Sequence, residues 1–234
     1  MTGTKEMAPG TQVKVLDHGL VRYIDSMGGD LSIVRNARVS YDAAWRSGQD
    51  KGSDKALINY LVRNGHNTPL EAVTVTFEIK APIFVLRQWH RHRTQSYNEL
   101  SARYRELPAQ FYLPELDQIT MQSTDNKQMR TTEQNPDAQI IQDYILHSNN
   151  QAFEMYQILL NRGCPRELAR SVLPMGTYSH MFASANLHNW FRFCAERCHE
   201  HAQYEIRVYA EAILLMLQEI APVATHAFRE HHNL

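Results

Sequence analysis

Apolar and polar residues alternate through residues 71–80 (EAVTVTFEIK) more cleanly than anywhere else in the chain. Val73, Val75, Phe77 and Ile79 face one way and Thr74, Thr76, Glu78 and Lys80 the other. This predicts a strand with one buried face and one wet face. Residues 12–25 hold two short apolar runs around Asp17, His18 and Gly19, which predicts strand, turn, strand. Asp30 stands as the cap of a helix with apolar positions Leu31, Ile33, Val34 and Ala37. After a polar break at 47–54, a second helix starts near Ser53 or Asp54. It presents Leu57, Ile58, Leu61 and Val62 on one face and stops at Gly65. Pro82 suits the first turn of a helix running through APIFVLRQWHRH.

Residues 110–136 are polar and bounded by Pro114 and Pro136, which predicts an exposed, partly mobile excursion. A long helix follows over 137–162, with Ile141, Ile145, Ala152, Met155 and Leu159 on one stripe, ended by Gly163. Pro165 opens a short helix, 177–185 reads as a strand, and 186–218 is helical with a break near His199. Strands and helices do not alternate as βαβ units, so the class is α+β. The domain reading is a flexible tail at 1–11 and one catalytic unit over 12–234, with the excursion near 115–137.

Composition narrows the picture. The chain has 234 residues, 43% hydrophobic and 21% charged, which suits one globular domain. Apolar runs fall short of the roughly 18–20 residues of a membrane span. The N-terminal residues lack the apolar core of a signal peptide, so a soluble cytoplasmic protein is expected. Three cysteines argue against a disulfide framework. A net charge of -1 argues against broad coating of nucleic acid.

Against that neutral background, residues 87–105 (RQWHRHRTQSYNELSARYR) stand out. Arg87, Arg91, Arg93, Arg103 and Arg105 accompany a single acid, Glu99. Guanidinium forks match phosphate and carboxylate oxygens, and the rings of Trp89, Tyr97 and Tyr104 offer faces for a flat heterocycle. The stretch therefore predicts a pocket for an anionic, aromatic ligand such as a nucleotide. The bland alternative is a solvated basic face or an RNA-contacting patch.

Other segments carry weaker signals. Cys164 to Ser171 (CPRELARS) has the Cys-x5-Arg-Ser spacing of thiol phosphatases. However, Pro165 lacks the N–H that a phosphate cradle needs, and Glu167 would oppose the phosphate. Cys194, Cys198, His199 and His201 lack the spacing of a zinc site, so no metal is assigned. His66 follows a helix end, where histidine usually caps or hydrogen-bonds. Arg197 lies in a run with Asn186, His188 and Arg192. It is either half-buried and paired with an acid or held near a substrate heterocycle.

Arg91 to Arg103 matches RHRxxSxNExSxR at every fixed position, and in this the chain resembles the flavin-dependent thymidylate synthases. GHNTPLE, APIFVLRQW, CPRELARSVLP and the run from Arg197 to Ile206 also resemble family segments. The resemblance covers roughly residues 12–112 and 140–228 and lapses in the excursion. It implies an α+β fold with an antiparallel sheet packed against helices. It also implies a homotetramer with active sites between subunits, and conversion of dUMP to dTMP. FAD reduced by NADPH would be the hydride source and 5,10-methylenetetrahydrofolate the carbon donor, with no cysteine nucleophile. By position, Thr68, Arg91, His92, Arg93, Glu99 and Asn186 would contact FAD. Gln88, Arg91, Glu99, Ser101, Arg103, Arg170 and Arg197 would contact dUMP. His66 would lie near the flavin, and Arg197 would sit by the uracil and favour ionisation at N3. His188 stands where relatives often have arginine, and Arg192 where they often have histidine or asparagine; both are carried over as flavin contacts.

Overall fold

The computed structural model describes residues 7–234, so the first six residues of the expected tail lie outside it. Its centre is a five-stranded antiparallel sheet in the order β1-β2-β3-β7-β4. These strands are β1 (Gln12–Val15), β2 (Gly19–Met27), β3 (Thr74–Pro82), β7 (Tyr178–Asn186) and β4 (Ser96–Glu99). β3 behaves as its alternation requires: Val73, Val75, Phe77 and Ile79 are fully buried. Its first expected residues instead form a 3-10 turn, Thr68–Ala72. The last residues of the tail are tied down, because Gly10 N–H donates to the Tyr23 carbonyl and Tyr23 N–H to that of Thr11.

The buried sheet face packs on α7 (Tyr204–Ile220), whose Ile206, Tyr209, Ala210, Ile213 and Leu217 are wholly buried. Beside it lie α3 (Ile83–Trp89), α6 (Leu187–Arg197) and α8 (Pro222–His232). α8 lies beyond the helical range expected from sequence; its Phe228 stacks on Phe191 at 4.4 Å between ring centroids. α1 (Asp30–Val39) buries Ile33 and Val34 but leaves Leu31 exposed. α2 (Lys51–Arg63) is capped by Asp50, and it ends as expected at Gly65, whose φ is 67°. There Gly65 N–H reaches the Val62 carbonyl and His66 N–H that of Leu61, a Schellman closure.

The excursion folds back on itself as a hairpin of β5 (Thr120–Gln122) and β6 (Arg130–Gln134), with Ile119 buried beneath it. α4 (Ala138–Asn161) buries Ala138, Asn149 and Tyr156. Met155, expected on that stripe, is exposed. α5 (Arg166–Ala169) follows, with Pro165 preceding it. Pro82 likewise precedes α3 and serves as the last residue of β3. Among the described residues no helix is long and apolar enough to cross a membrane.

Asp30 corrects a local reading. It does not cap α1, where Gly29 holds that place. Its carboxylate accepts from Val223 N–H at 2.8 Å and Ala224 N–H at 3.0 Å, so it caps α8, 193 residues away. Burial pushes its carboxyl pKa up and these two donors pull it back. Asp30→Ala should therefore loosen α8 rather than α1, at a cost of about 1–2 kcal/mol. Denaturant unfolding measures the loss, and hydrogen exchange should place it at residues 222–228.

Candidate active site

The RHR turn is built from its flanks. Trp89, the last residue of α3, is fully buried and stacks on Phe193 at 4.5 Å. Its indole N–H donates to buried Gln95 at 3.0 Å. Trp89 is thus a core anchor, and its face is not offered to a ligand. The Tyr97 hydroxyl is within hydrogen-bond reach of the carbonyls of His92 at 2.7 Å and Trp89 at 3.1 Å, closing the turn from below. Burial pushes the Tyr97 pKa up to about 12, so it remains a donor. β4 then pairs with β7, Ser96 opposite Ser184 and Glu99 opposite Met181. This strand was not legible from its polar sequence. The result is a rigid turn from which Arg91 and Arg93 project into solvent.

His92 turns the other way. Its ring lies edge-on to Phe193 at 4.9 Å, and its Nε2 accepts from Arg197 Nε–H at 3.0 Å. Burial, then Arg197, lower its pKa to about 4, so it is neutral at pH 7. With Nε2 accepting, the ring proton sits on Nδ1. Arg197 is therefore held by a neutral acceptor, and its charge is not cancelled by an acid. Glu196, 4.0 Å from Nε2, is too remote to make this an ion pair with neutral His92.

Gln88 is half-buried at the end of α3 and donates to Gln203. Glu99 accepts from Ser179 Oγ–H at 2.7 Å. Ser101 Oγ caps the backbone N–H of Arg103. The Arg103 guanidinium meets Glu167 at 3.4 Å, and Arg170 Nε–H donates to the Glu167 carbonyl. Ser101, Arg103 and Arg170 thus form one group around α5.

A second group sits at the other end of β7. Asn186 caps α6, its side chain accepting from Asn189 N–H. His188 and Arg192 are one turn apart on α6, and His188 also feels Glu71 from the 3-10 turn that carries Thr68. Burial, more than Arg192, lowers the pKa of His188. His66 is exposed, with its ring edge-on to Tyr60 at 5.5 Å. Its backbone fills the capping role described above. The seven-residue step from Ser179 to Asn186 spans ~23 Å of strand. The α5 group therefore stands apart from this one, whereas the RHR turn lies on the Asn186 side, where His92 feels the charge of Arg192.

The remaining candidates fall elsewhere. Cys164 Sγ meets the Pro165 carbonyl at 3.8 Å. Cys194 is buried against the Ala210 carbonyl. The His199 and His201 rings lie 4.7 Å apart on the exposed turn before α7.

A profile of the thymidylate synthase complementing protein family matches residues 22–223. The chain belongs to this family. It is 45% identical over 219 residues to a flavin-dependent thymidylate synthase of Ehrlichia ruminantium, covering 93% of this chain and 73% of the relative. It is 43% identical over 226 residues to one of Treponema denticola, covering 95% and 83%. Among solved structures it resembles a UMP/dUMP methylase, PolB of Streptomyces cacaoi, bound with 5-Br dUMP. The TM-score there is 0.85 at 35% identity, with 93% and 97% of the two chains covered.

Within this family member, several supporting residues escaped sequence reasoning. Ser179 fixes Glu99, Gln203 fixes Gln88, and Tyr97 closes the RHR turn. Ser179 and Gln203 act across 80 and 115 residues, which no local pattern spans, although Gln203 lies inside the matching run at 197–206. The neutral state of His92 is testable. Unfolded His92 takes up a proton near pH 6.5 and the folded form near about 4. In that window the unfolded state binds more protons, so stability falls as pH falls through it. His92→Gln should flatten that segment of the pH–stability curve, and NMR titration should find the wild-type ring neutral down to about pH 4.

Proposed function

We propose that this protein is a flavin-dependent thymidylate synthase. It converts dUMP to dTMP with 5,10-methylenetetrahydrofolate as carbon donor and FAD, reduced by NADPH, as hydride carrier. The observation that carries this reading is a set of guanidiniums left without carboxylates. Among the described residues, Arg91, Arg93, Arg170, Arg192 and Arg197 form no ion pair, and Arg197 is oriented by the neutral ring of His92. Grouped cations without anions are costly unless an anion binds, and FAD and dUMP both bring phosphate and a flat ring.

The donor set fits FAD. Arg91, Arg93 and Arg192 supply charge, Thr68 and Asn186 supply neutral polar groups, and His92, His188 and Glu99 complete the assignment. Bound flavin supplies the hydride chemistry, and the protein binds, orients and polarises. On the substrate side Ser101, Arg103 and Arg170 hold phosphate, with Gln88, Arg91 and Glu99 on the rest of dUMP. Arg197, oriented by neutral His92, stabilises negative charge developing on the uracil. His66 borders the flavin. No thiol nucleophile is needed, so Cys164→Ser should spare activity.

The proposed assembly is a homotetramer with each site shared between subunits. The two groups of assigned residues lie far apart along β7, which supports a site completed by another copy. Apolar side chains also stay exposed on α4, with Ile140 52%, Tyr144 71% and Met155 47% accessible, and so does Phe182 on the outer sheet face. A partner surface would cover them.

The deciding experiment is the visible spectrum of the purified protein, followed by turnover of dUMP with the folate donor and NADPH. Absence of both flavin binding and dTMP would sink the reading. Arg197→Ala should lose turnover by at least 100-fold, a magnitude typical of a lost charge-stabilising donor, while retaining FAD. Arg103→Ala should weaken dUMP by about tenfold or more, the scale of a charge-assisted hydrogen bond. Flavin content and substrate titration distinguish the two variants.

A further inference from the structure

The β5–β6 hairpin lies in the excursion where the sequence motifs gave no clear match, inside the span the family profile covers, and it reaches the candidate site. Arg130, at the start of β6, donates from one terminal nitrogen to Glu205 Oε1 at 2.8 Å. It donates from the other to the Gln118 carbonyl at 2.8 Å. Glu205 is 4% exposed at the start of α7, and Tyr112 donates to the same oxygen at 3.1 Å. The second oxygen, Oε2, accepts from Gln203 Nε2 at 2.7 Å. Gln203 Oε1 in turn accepts from Gln88.

The direction of every bond in this chain follows from its first member. A carboxylate paired to arginine only accepts. It therefore draws the NH2 end of Gln203 toward itself, which leaves the Gln203 carbonyl facing Gln88. The NH2 end of Gln88 must meet that carbonyl, and its own Oε1 is left pointing away as an acceptor. An amide can flip and reverse this polarity at little steric cost; the charge on Glu205 prevents it. Arg130 is what makes that buried charge tolerable, since a buried carboxylate without its partner is strongly disfavoured.

We propose that Arg130 is a positioning residue for the nucleotide: through Glu205 and Gln203 it fixes Gln88 with its carbonyl oxygen presented to the substrate. The inference rests on the assignment of Gln88 to dUMP. It gives the hairpin a task in the reaction without contact with the reacting atoms.

The test measures dUMP affinity by calorimetry on the FAD-loaded full chain, with FAD affinity and the melting temperature alongside. Arg130→Ala should weaken dUMP by up to about tenfold, the size of one neutral hydrogen bond, raise KM in parallel, and leave kcat and FAD affinity within twofold. Gln203→Leu breaks the relay downstream and should do the same. The double variant should be no weaker than either single one, because both cut one chain. Arg130→Lys should recover most of the loss. A folded Arg130→Ala with wild-type dUMP affinity overturns the proposal, and so does an equal loss of FAD and dUMP. If Arg130→Ala does not fold, Gln203→Leu decides, and unchanged dUMP binding in that variant overturns the relay. Failure of the wild-type protein to bind dUMP at all would overturn the functional reading beneath it.

Discussion

The nine-residue antiparallel pairing of β3 with β7, from Thr74 opposite Asn186 to Pro82 opposite Tyr178, is the constraint on which the remaining geometry depends. Both strands bury one face completely, so a slip of one residue would turn Val75, Phe77 and Ile79 out to water. Because that register is fixed, so are the ends. Asn186 must stand where α6 begins, and Leu187 N–H then bonds the Val73 carbonyl. Met181 must face Glu99, which sets β4 and with it the RHR turn. The Trp190 indole, donating to the Val75 carbonyl at 3.1 Å, locks α6 onto the same pair of strands. Side chains assigned to two different ligands are thereby placed by one ladder of hydrogen bonds.

On this frame two of the assigned guanidiniums are held by neutral or backbone groups where a carboxylate would have been the more ordinary partner. Arg197 rests on an uncharged imidazole and Arg170 on a carbonyl. Arg38, by contrast, is paired with Asp54 at 2.6 Å, both side chains largely buried. Neutral support keeps a guanidinium oriented while leaving its field available to an incoming anion, since interactions in partly buried sites are weakly screened.

Much of this was legible in the sequence, for identifiable reasons. β3 is read directly from its alternation, and the end of α2 from Gly65, because both signals are local. The positive character of residues 87–105 is equally local. What escaped notice depended on contacts far apart in the chain. Asp30 looks like the cap of the helix it begins and serves instead the helix that starts at Pro222. β4 has four residues, of which only Tyr97 packs against the core; it is a strand because β7 offers an unpaired edge. Met155 fits a helical stripe yet is exposed, since the buried face of α4 is centred on Asn149 and Tyr156. Trp89 was read as a ligand-facing ring because of its arginine neighbours, but a large apolar ring preceding a turn is worth more in the core.

Glu167, the acid that counted against a phosphatase reading of its segment, acquires a different meaning beside Arg103 and Arg170. Its carboxylate is a tethered anion 3.4 Å from Arg103, one of the cations assigned to the substrate phosphate. A carboxylate fixed on a neighbouring helix competes at an effective concentration in the millimolar range or above. A lone phosphate or sulfate ion offers little to displace it. A nucleotide brings a base and a sugar that find further contacts, and so carries enough binding energy to do so. At the position assigned to the substrate phosphate, the chain would thus carry its own competitor, one that favours a whole nucleotide over a small inorganic anion.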